Sequence, residues 1–291
     1  MEIKINGDDF GLCHEVNEGI FYAFQHGILS SASLMVNFDA STEAAKIAQT
    51  HPGLRVGLHL TITDGFCVAP KSKVKALVDE DGRFLFTDSD IPGSIGNLCN
   101  KISKDHHVLE QIEREFQAQV ERFQGFGLEL SHIDMHHYIN LIHIELFKKY
   151  DDFANRLSVS YRGLCYPMID MLHIPPEIIQ EMSTIINHSL SPCPNVSLGN
   201  LMGSKPLVLP SGEQYQGMVE KRLTSLAEEG LESVELITHP AIINELFHQS
   251  DSYSWARSLE TTLVNSSKFK QFLKNNRFQL VRDLILRTGE A

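Results

Sequence analysis

The sequence predicts an α/β fold in which strands and helices alternate along the whole chain. Apolar residues alternate over residues 54–60, as in a strand, and recur at helical spacing over residues 15–26. Several predicted strands end in acidic residues or histidines. Strands that alternate with helices form parallel sheets, which gather their carboxyl ends at one rim. The length of 291 residues fits a single β/α barrel, although two domains would also fit.

The composition excludes several classes of protein. The chain is 42% hydrophobic and 21% charged, which is typical of a globular protein with a large core. The net charge is −12 and Lys and Arg form no run, so neither nucleic acid nor an anionic membrane is an expected partner. The sequence has no signal-peptide pattern and no apolar run of membrane-spanning length. Five scattered cysteines without a C-x-x-C pair indicate reduced thiols, so we expect a cytoplasmic protein.

Two adjacent carboxylates end the first predicted strand. Ile3 and Ile5 alternate with polar residues, and Gly7 directly precedes Asp8 and Asp9. Neighbouring carboxylates repel each other, so their pKa values are pushed apart unless a cation or a proton lies between them. A bound metal ion would supply such a cation. The first strand therefore indicates a metal site.

The next elements bring a histidine to another strand. We predict a strand over residues 29–36, a helix over 41–50 with Ser41 as its N-cap, and a strand over 54–60. His59 points away from the leucines that form the packing face of that strand. A single histidine in a strand is more commonly a core residue than a ligand. A second histidine cluster strengthens the interpretation as a ligand.

That second cluster follows Gly127. An extended chain over residues 128–135 would place His132, Asp134 and His136 on one side, with the intervening Ile and Met on the other. The alternative is a polar loop with histidines in solvent. The interleaved apolar residues favour a strand, and the pattern indicates a metal-binding or catalytic use of the polar side.

We expect one domain over residues 1–291, with residues 67–104 and 187–214 as loop insertions near the site. His239 stands immediately after a predicted strand and is a further candidate for the site. The remaining predicted elements are helix 108–123, strand 159–162, helix 215–227, strand 234–238, helix 258–274, and a strand with a short helix over 278–286.

These residue types are suited to hydrolysis. One carboxylate and two imidazoles leave positions around a metal ion for water and substrate, as in catalytic rather than structural sites. Whichever of Asp8 and Asp9 does not bind the ion is a candidate general base. His239 is a candidate acid for a leaving amine.

Four motifs together resemble the YdjC-like carbohydrate deacetylases, whose best-known members remove an acetyl group from chitooligosaccharides. The motifs are NGDDFGL at 6–12, VNEGI at 16–20, VGLHLT at 56–61 and HIDMHH at 132–137. Each motif alone is weak evidence, but four in this order are specific. The resemblance implies a single distorted TIM-like (β/α) barrel, related in mechanism to the NodB-type polysaccharide deacetylases, and a small carbohydrate substrate.

The resemblance also implies roles for individual residues. The metal ion would be held by Asp9, His59 and His136, with Asp8 as the base. His239 matches the late strand-end histidine of the family and would be the acid. We expect substrate contacts from a further set of residues, of which Arg162 matches the mid-chain arginine of the family: Arg162, His132, Asp134 and Tyr138.

Some positions depart from the family pattern. Gly7 replaces the usual Ala, Tyr138 and Asn140 replace two histidines, and Thr238 and Ala241 replace commoner residues around the last motif. The implied ligands are retained. The departures therefore leave the substrate less well defined than the reaction type.

One divalent ion is the expected cofactor. The donor set suits Zn²⁺ or another late first-row ion better than Mg²⁺, whereas the resemblance implies Mg²⁺, so both stay open. A phosphoesterase is one alternative, which the lack of clustered Arg and Lys near the motifs disfavours. A sugar-binding relative without turnover is another, and the retained Asp8 and His239 disfavour it. A homodimer is expected only because such assemblies are common.

Overall fold

The computed structural model describes residues 1–86, 91–164, 174–186, 195–197, 209–251 and 253–281. Its centre is a sheet of eight strands in which every neighbouring pair is parallel. The strands are β1 (Glu2–Phe10), β2 (Ser31–Leu34), β3 (Arg55–Leu60), β4 (His132–Met135), β5 (Ser160–Tyr161), β6 (Asn195–Ser197), β7 (Ser233–Thr238) and β8 (Gln279–Val281).

Helices alternate with these strands and confirm the predicted α/β class. They are α1 (His14–His26), α2 (Ser41–Thr50), α3 (Ile91–Lys104), α4 (His107–Gly125), α5 (Ile144–Leu157), α6 (Pro176–Ile186), α7 (Gly212–Glu228), α8 (Glu245–Ser250), α9 (Ser254–Val264) and α10 (Ser267–Asn275). In the described part of the chain, short 3₁₀ segments cover Lys71–Lys73 and His136–Leu141. Among the described residues, none of these helices combines the length and apolarity needed to cross a bilayer.

Strand β1 lies at the centre of the sheet, whose order is β5-β4-β3-β2-β1-β7-β6. One side of β1 pairs with β7, and the other side pairs first with β8 and then with β2. The pairing with β2 shifts register between Gly7 and Phe10. This irregularity lies at the paired acids and changes the direction of the chain there.

The sheet is curled, because side chains from strands that are not neighbours meet on its inner side. Ser33 on β2 donates to Asp134 on β4 across the width of β3, with an oxygen–oxygen distance of 2.5 Å. Arg162, directly after β5, donates to Asp8 on β1 over 2.6 Å. The described strands thus form a curled half-barrel. No β5–β6 pairing occurs among the described residues, so a complete barrel stays a prediction.

The two faces of the curled sheet differ in chemistry. On β1, Ile3 and Ile5 are fully buried toward the helices, where α1 contributes Val16 and Ile20 to the same core. The alternate residues of the strand are buried and polar, among them Lys4. Buried polar groups need partners, and the inner face supplies them from several strands at once.

Several predicted elements are confirmed and others need correction. The helices predicted over 15–26, 41–50, 108–123 and 215–227 correspond to α1, α2, α4 and α7. Ser41 is wrong as an N-cap, because it lies inside α2 and its hydroxyl donates to the Val36 carbonyl. The helix predicted over 258–274 is two helices, because Ser266 caps α10 by accepting from the Phe269 N–H.

The predicted loop over residues 67–104 is wrong for its last part, which forms α3. The segment at 187–214 falls mostly outside the described residues, apart from β6 and residues 209–214, which include the start of α7. In the tail, β8 confirms the predicted strand, and residues 282–291 are outside the described part. Cys13, Cys67 and Cys99 are free thiols, and the other two cysteines lie in undescribed segments.

Gly19 on α1 packs closely against the backbone of the segment that follows β7. An ideal Cβ at Gly19 would lie 2.3 Å from the Ala241 Cα, a backbone atom that cannot rotate away. We therefore expect Gly19→Ala to lower the free energy of unfolding, measured by urea denaturation, by about 1–3 kcal/mol. Gly217→Ala in α7 is the matched control: nothing lies within 4 Å of its Cβ, so alanine should be neutral or stabilising. Equal effects of the two substitutions would contradict the close packing.

Candidate metal centre

Three predicted ligands converge at the carboxyl end of the sheet. The Nε2 atom of His59 lies 3.4 Å from Asp9 Oδ1 and 3.2 Å from His136 Nδ1, and that nitrogen of His136 lies 3.2 Å from the same oxygen of Asp9. All three side chains are buried. They come from β1, β3 and the residue after β4, so the parallel sheet brings them together. This group could hold a metal ion.

The backbone at Asp9 is strained. Its φ is 67°, in the left-handed region that a residue with a side chain rarely adopts. Such a conformation costs of order 1–3 kcal/mol and persists only where surrounding contacts enforce it. Here it turns the side chain of Asp9 toward the two imidazoles, while Asp8 remains on the inner face of β1.

Each histidine of the group is oriented by a carboxylate at its other ring nitrogen. His59 Nδ1 donates to Asp134 Oδ1 over 2.6 Å, and His136 Nε2 lies 3.3 Å from Asp64 Oδ2. Histidines that bind metal ions nearly always have such a partner, which fixes both the ring orientation and the tautomer. The arrangement leaves the inward-facing nitrogens available for an ion.

The electrostatics of the group favour a cation. Burial lowers the pKa of His59, but the charges of Asp134 and Asp8 outweigh it and raise that pKa to about 9. Burial likewise opposes protonation of His136, yet Asp64 and Asp9 raise its pKa to about 10. The Oδ1 atom of Asp9 is buried and accepts no hydrogen bond of regular geometry from the described residues. An unpaired carboxylate oxygen facing two imidazoles fits a divalent ion.

Asp8 has different surroundings from its neighbour. Its Oδ1 accepts hydrogen bonds from Asn6 Nδ2 and Arg162 Nη2, each over 2.7 Å, and its Oδ2 accepts one from Arg162 Nη1 over 2.6 Å. The same Oδ2 lies 3.9 Å from His59 Nε2. The structure thus places Asp8 beside the three-residue group, held in orientation by a bidentate guanidinium.

Arg162 belongs to a buried network of charges. Its Nε donates to Glu235 Oε2 over 3.1 Å, and its Nη2 lies 2.9 Å from Asp134 Oδ2. Lys4 Nζ donates to the other oxygen of Glu235 over 3.1 Å. Burial alone would raise the pKa of Glu235, but Arg162 and Lys4 lower it to about 2. The predicted substrate contact of Arg162 stays a prediction, since its donors point to carboxylates of the protein.

The other predicted substrate residues lie at different depths. His132 is buried inside the sheet, with its ring nitrogens near the hydroxyls of Ser131 and Ser33. Asp134 is fully buried behind His59. Tyr138 is half-buried and packs against an apolar cluster formed mainly by α5 and α6. Their contact with substrate stays a prediction.

His239 follows β7 and pairs with an acid on α9. Its backbone N–H donates to Glu260 Oε2 over 2.6 Å, and its Nδ1 lies 3.0 Å from the same oxygen. Burial lowers the pKa of His239, but the charge of Glu260 outweighs it and raises that pKa. Tyr253 donates to the other oxygen of Glu260 over 3.1 Å. The His239 side chain remains 19% exposed and is therefore partly accessible.

A family model described as "YdjC-like protein" matches residues 2–275. The chain belongs to the YdjC-like family. Among curated relatives named carbohydrate deacetylase, one from Brevibacillus brevis is 31% identical over 286 residues, covering 97% of this chain and 98% of the relative. Another, from Oceanobacillus iheyensis, is 27% identical and covers 94% of this chain and all of the relative. The resemblance inferred from the four motifs is thereby confirmed.

A solved structure supports the fold of this family member. The crystal structure of a protein from Enterococcus faecalis, named as a cellobiose-phosphate cleavage protein, superposes with a TM-score of 0.76. It covers 96% of each chain at 22% sequence identity. The α/β architecture is therefore shared over nearly the whole length.

Sequence reasoning missed the outer residues of the site, namely Asp64, Glu235, Arg257 and Glu260. Tyr253, the N-cap of α9, is followed at helical spacing by Arg257 and Glu260, which are both buried. Buried charged residues on one helical face were the available signal. Nothing local in the sequence pairs them with Asp9 or His239.

His132 gives a prediction about stability and pH. Burial, followed by the nearby charge of Lys4, lowers the pKa of His132 to about 4, against about 6.5 when unfolded. The unfolded chain therefore binds a proton more readily than the folded chain. When the pH falls from 7 to 5, this difference at His132 lowers the free energy of unfolding by about 2 kcal/mol. We expect His132→Gln to reduce the pH dependence of the free energy of unfolding measured in urea. The exposed His107→Gln variant should retain that dependence, and an unchanged slope for His132→Gln would contradict the assignment.

Proposed function

We propose that this protein is a metal-dependent deacetylase that removes the N-acetyl group from an acetamido sugar or chitooligosaccharide. The observation that carries the proposal is the convergence of Asp9, His59 and His136 beside Asp8, in a chain whose relatives are named carbohydrate deacetylase. A hydrolytic site needs ligands, a base and an acid within reach of one bond. The rim of this sheet supplies candidates for each role.

Asp9, His59 and His136 would hold one divalent ion, with positions left for substrate and water. When bound, such an ion supplies Lewis acidity, which polarises a carbonyl and lowers the pKa of water. The two imidazoles and single carboxylate favour Zn²⁺ over Mg²⁺ by ligand chemistry, and the family resemblance favours Mg²⁺. Competition between the two ions for the protein would identify the preferred one.

Asp8 is the proposed general base. Arg162 and Asn6 fix its carboxylate, and Oδ2 accepts only one hydrogen bond in the described structure, so it retains a lone pair for a proton. That oxygen is also the one nearer to His59. Asp8 would accept the proton of the water that attacks the acetamide carbonyl.

His239 is the proposed general acid. The pairing with Glu260 raises its pKa and so favours the protonated ring. Glu260 occupies Nδ1, so the proton would leave from Nε2. His239 would deliver it to the sugar nitrogen as the carbon–nitrogen bond breaks, which releases the amine and acetate.

The arginines of the site argue against a phosphoesterase. A phosphate clamp needs guanidinium groups that can turn to an anion. Both Arg162 and Arg257 are buried and paired with carboxylates of the protein. We therefore keep a carbohydrate as the substrate. Location in the cytoplasm, a homodimer and closure of the complete barrel stay as sequence-based predictions.

The activity is tested by acetate release from N-acetylated chitooligosaccharides and simpler acetamido sugars, with the protein loaded with Zn²⁺ or Mg²⁺. We expect turnover by the wild type and a loss of about 100- to 10,000-fold in kcat for Asp8→Asn, which removes the base. Asp152→Asn on the exposed side of α5 is the matched control and should be fully active. The proposal fails if no substrate yields acetate and Asp8→Asn is indistinguishable from the wild type.

Metal binding is tested separately by calorimetric titration. His59→Ala and His136→Ala should each abolish stoichiometric binding, because each removes one of three ligands. His132→Gln should retain binding, since His132 is buried nearby but faces Ser33 and Ser131. Equal affinity in all three variants would show that the ion binds elsewhere.

A further inference from the structure

Arg257 reaches the candidate metal centre from the far end of the sequence. Its Nη2 donates to Asp9 Oδ2 over 2.7 Å, and its Nε donates to Asp251 Oδ2 over 2.6 Å. Only 4% of the residue is exposed. The guanidinium therefore bridges a ligand on β1 and an acid that precedes α9.

This contact divides the two oxygens of Asp9. Oδ2 is occupied by Arg257, whereas Oδ1 accepts no hydrogen bond of regular geometry from the described residues and faces His59 and His136. We propose that Arg257 is a positioning residue that fixes Asp9 as a ligand through one oxygen only. A carboxylate that bound through both oxygens would take a coordination position that water or substrate needs. The inference deepens the proposed metal centre and rests on it.

The strain at Asp9 explains why such an anchor is needed. Asp9 has a φ of 67°, a backbone conformation that residues with a side chain rarely adopt. Contacts must hold a side chain that extends from a strained backbone. Among the described residues, Arg257 makes the shortest polar contact to the carboxylate of Asp9.

The Arg257 side chain is itself held in place by Asp251 and Tyr253. Asp251 Oδ1 accepts the backbone N–H of Tyr253 over 2.7 Å at the start of α9, while Asp251 Oδ2 accepts Arg257 Nε. The Tyr253 ring lies beneath the guanidinium, 5.8 Å from ring centroid to Cζ. Arg257 thus reaches the site from a fixed helical position.

The burial of Arg257 also makes one unfavourable contribution to stability. Its Nη1 is buried and makes no hydrogen bond with the described residues. A buried donor without a partner is unfavourable. The contact with Asp9 therefore accounts for the position of the Arg257 side chain better than the hydrogen bonding of its own donors does.

The test compares metal affinity in the wild type, Arg257→Met and Arg257→Lys by calorimetry with Zn²⁺, together with the visible spectrum of the Co²⁺-loaded proteins. We expect Arg257→Met to bind about 10- to 100-fold more weakly, as is typical when an outer contact of a ligand is lost. The Co²⁺ spectrum should change, because a freed Asp9 alters the coordination. A purely structural role would change stability but leave that spectrum unaltered.

Arg257→Lys retains the charge, so it keeps the proposal testable if the Met variant does not fold. Lysine has a single ammonium and cannot bridge two carboxylates as a planar fork does, so we expect intermediate affinity. Ser258→Ala on the exposed side of α9 is the matched control and should match the wild type. A folded Arg257 variant with wild-type affinity and spectrum would overturn the inference. Absence of metal binding in the wild type would instead overturn the proposed metal centre.

Discussion

The charges buried inside the curled sheet are stable only because they pair with one another. Moving a charge out of water costs several kcal/mol even after relaxation, and removing one partner of a buried pair typically costs 3–5 kcal/mol. A continuous chain of such pairs runs from Lys4 on β1 to Glu235 on β7, then to Arg162 after β5, and back to Asp8 on β1. The strands that carry them must therefore keep their mutual positions. The same pairs that hold the sheet in its curl also hold the candidate base in place.

Asp8 and Asp9 have different surroundings because the pairing of β1 with β2 shifts register at this point. Asp8 still follows the alternation of β1 and points to the inner face, where Arg162 and Asn6 fix its orientation. At Asp9 the register with β2 shifts and the backbone turns left-handed, so the carboxylate is turned to the imidazoles. One irregularity thus separates two identical side chains into different surroundings. This difference supports assigning a proton-accepting role to one and a metal-binding role to the other.

The sequence predicted the strand ends well and the contacts between them poorly. His59 and His136 were found because alternation within a strand is a local signal. Asp64, Arg257 and Glu260 were missed because their partners His136, Asp9 and His239 are distant in sequence. The error at α3 has a local cause: Pro92 and Gly93 indicate a turn, yet proline is also tolerated in the first turn of a helix. The predicted cap at Ser41 is one residue too late, because α2 begins at Ser41 and Ala40 is its N-cap.

Helix α9 shows why the late part of the chain belongs to the site. Arg257 contacts the candidate ligand Asp9, and Glu260 contacts the candidate acid His239, and both lie on the same face of one rigid helix. A helix cannot move one of these residues without moving the other. The separation of the candidate ligand and the candidate acid follows from the pairing of β1 with β7, in which Gly7 lies opposite Thr238, and α9 contacts both side chains from one face. A site that must protonate a nitrogen beside a polarised carbonyl requires this fixed separation, because small displacements of reacting groups are costly in rate.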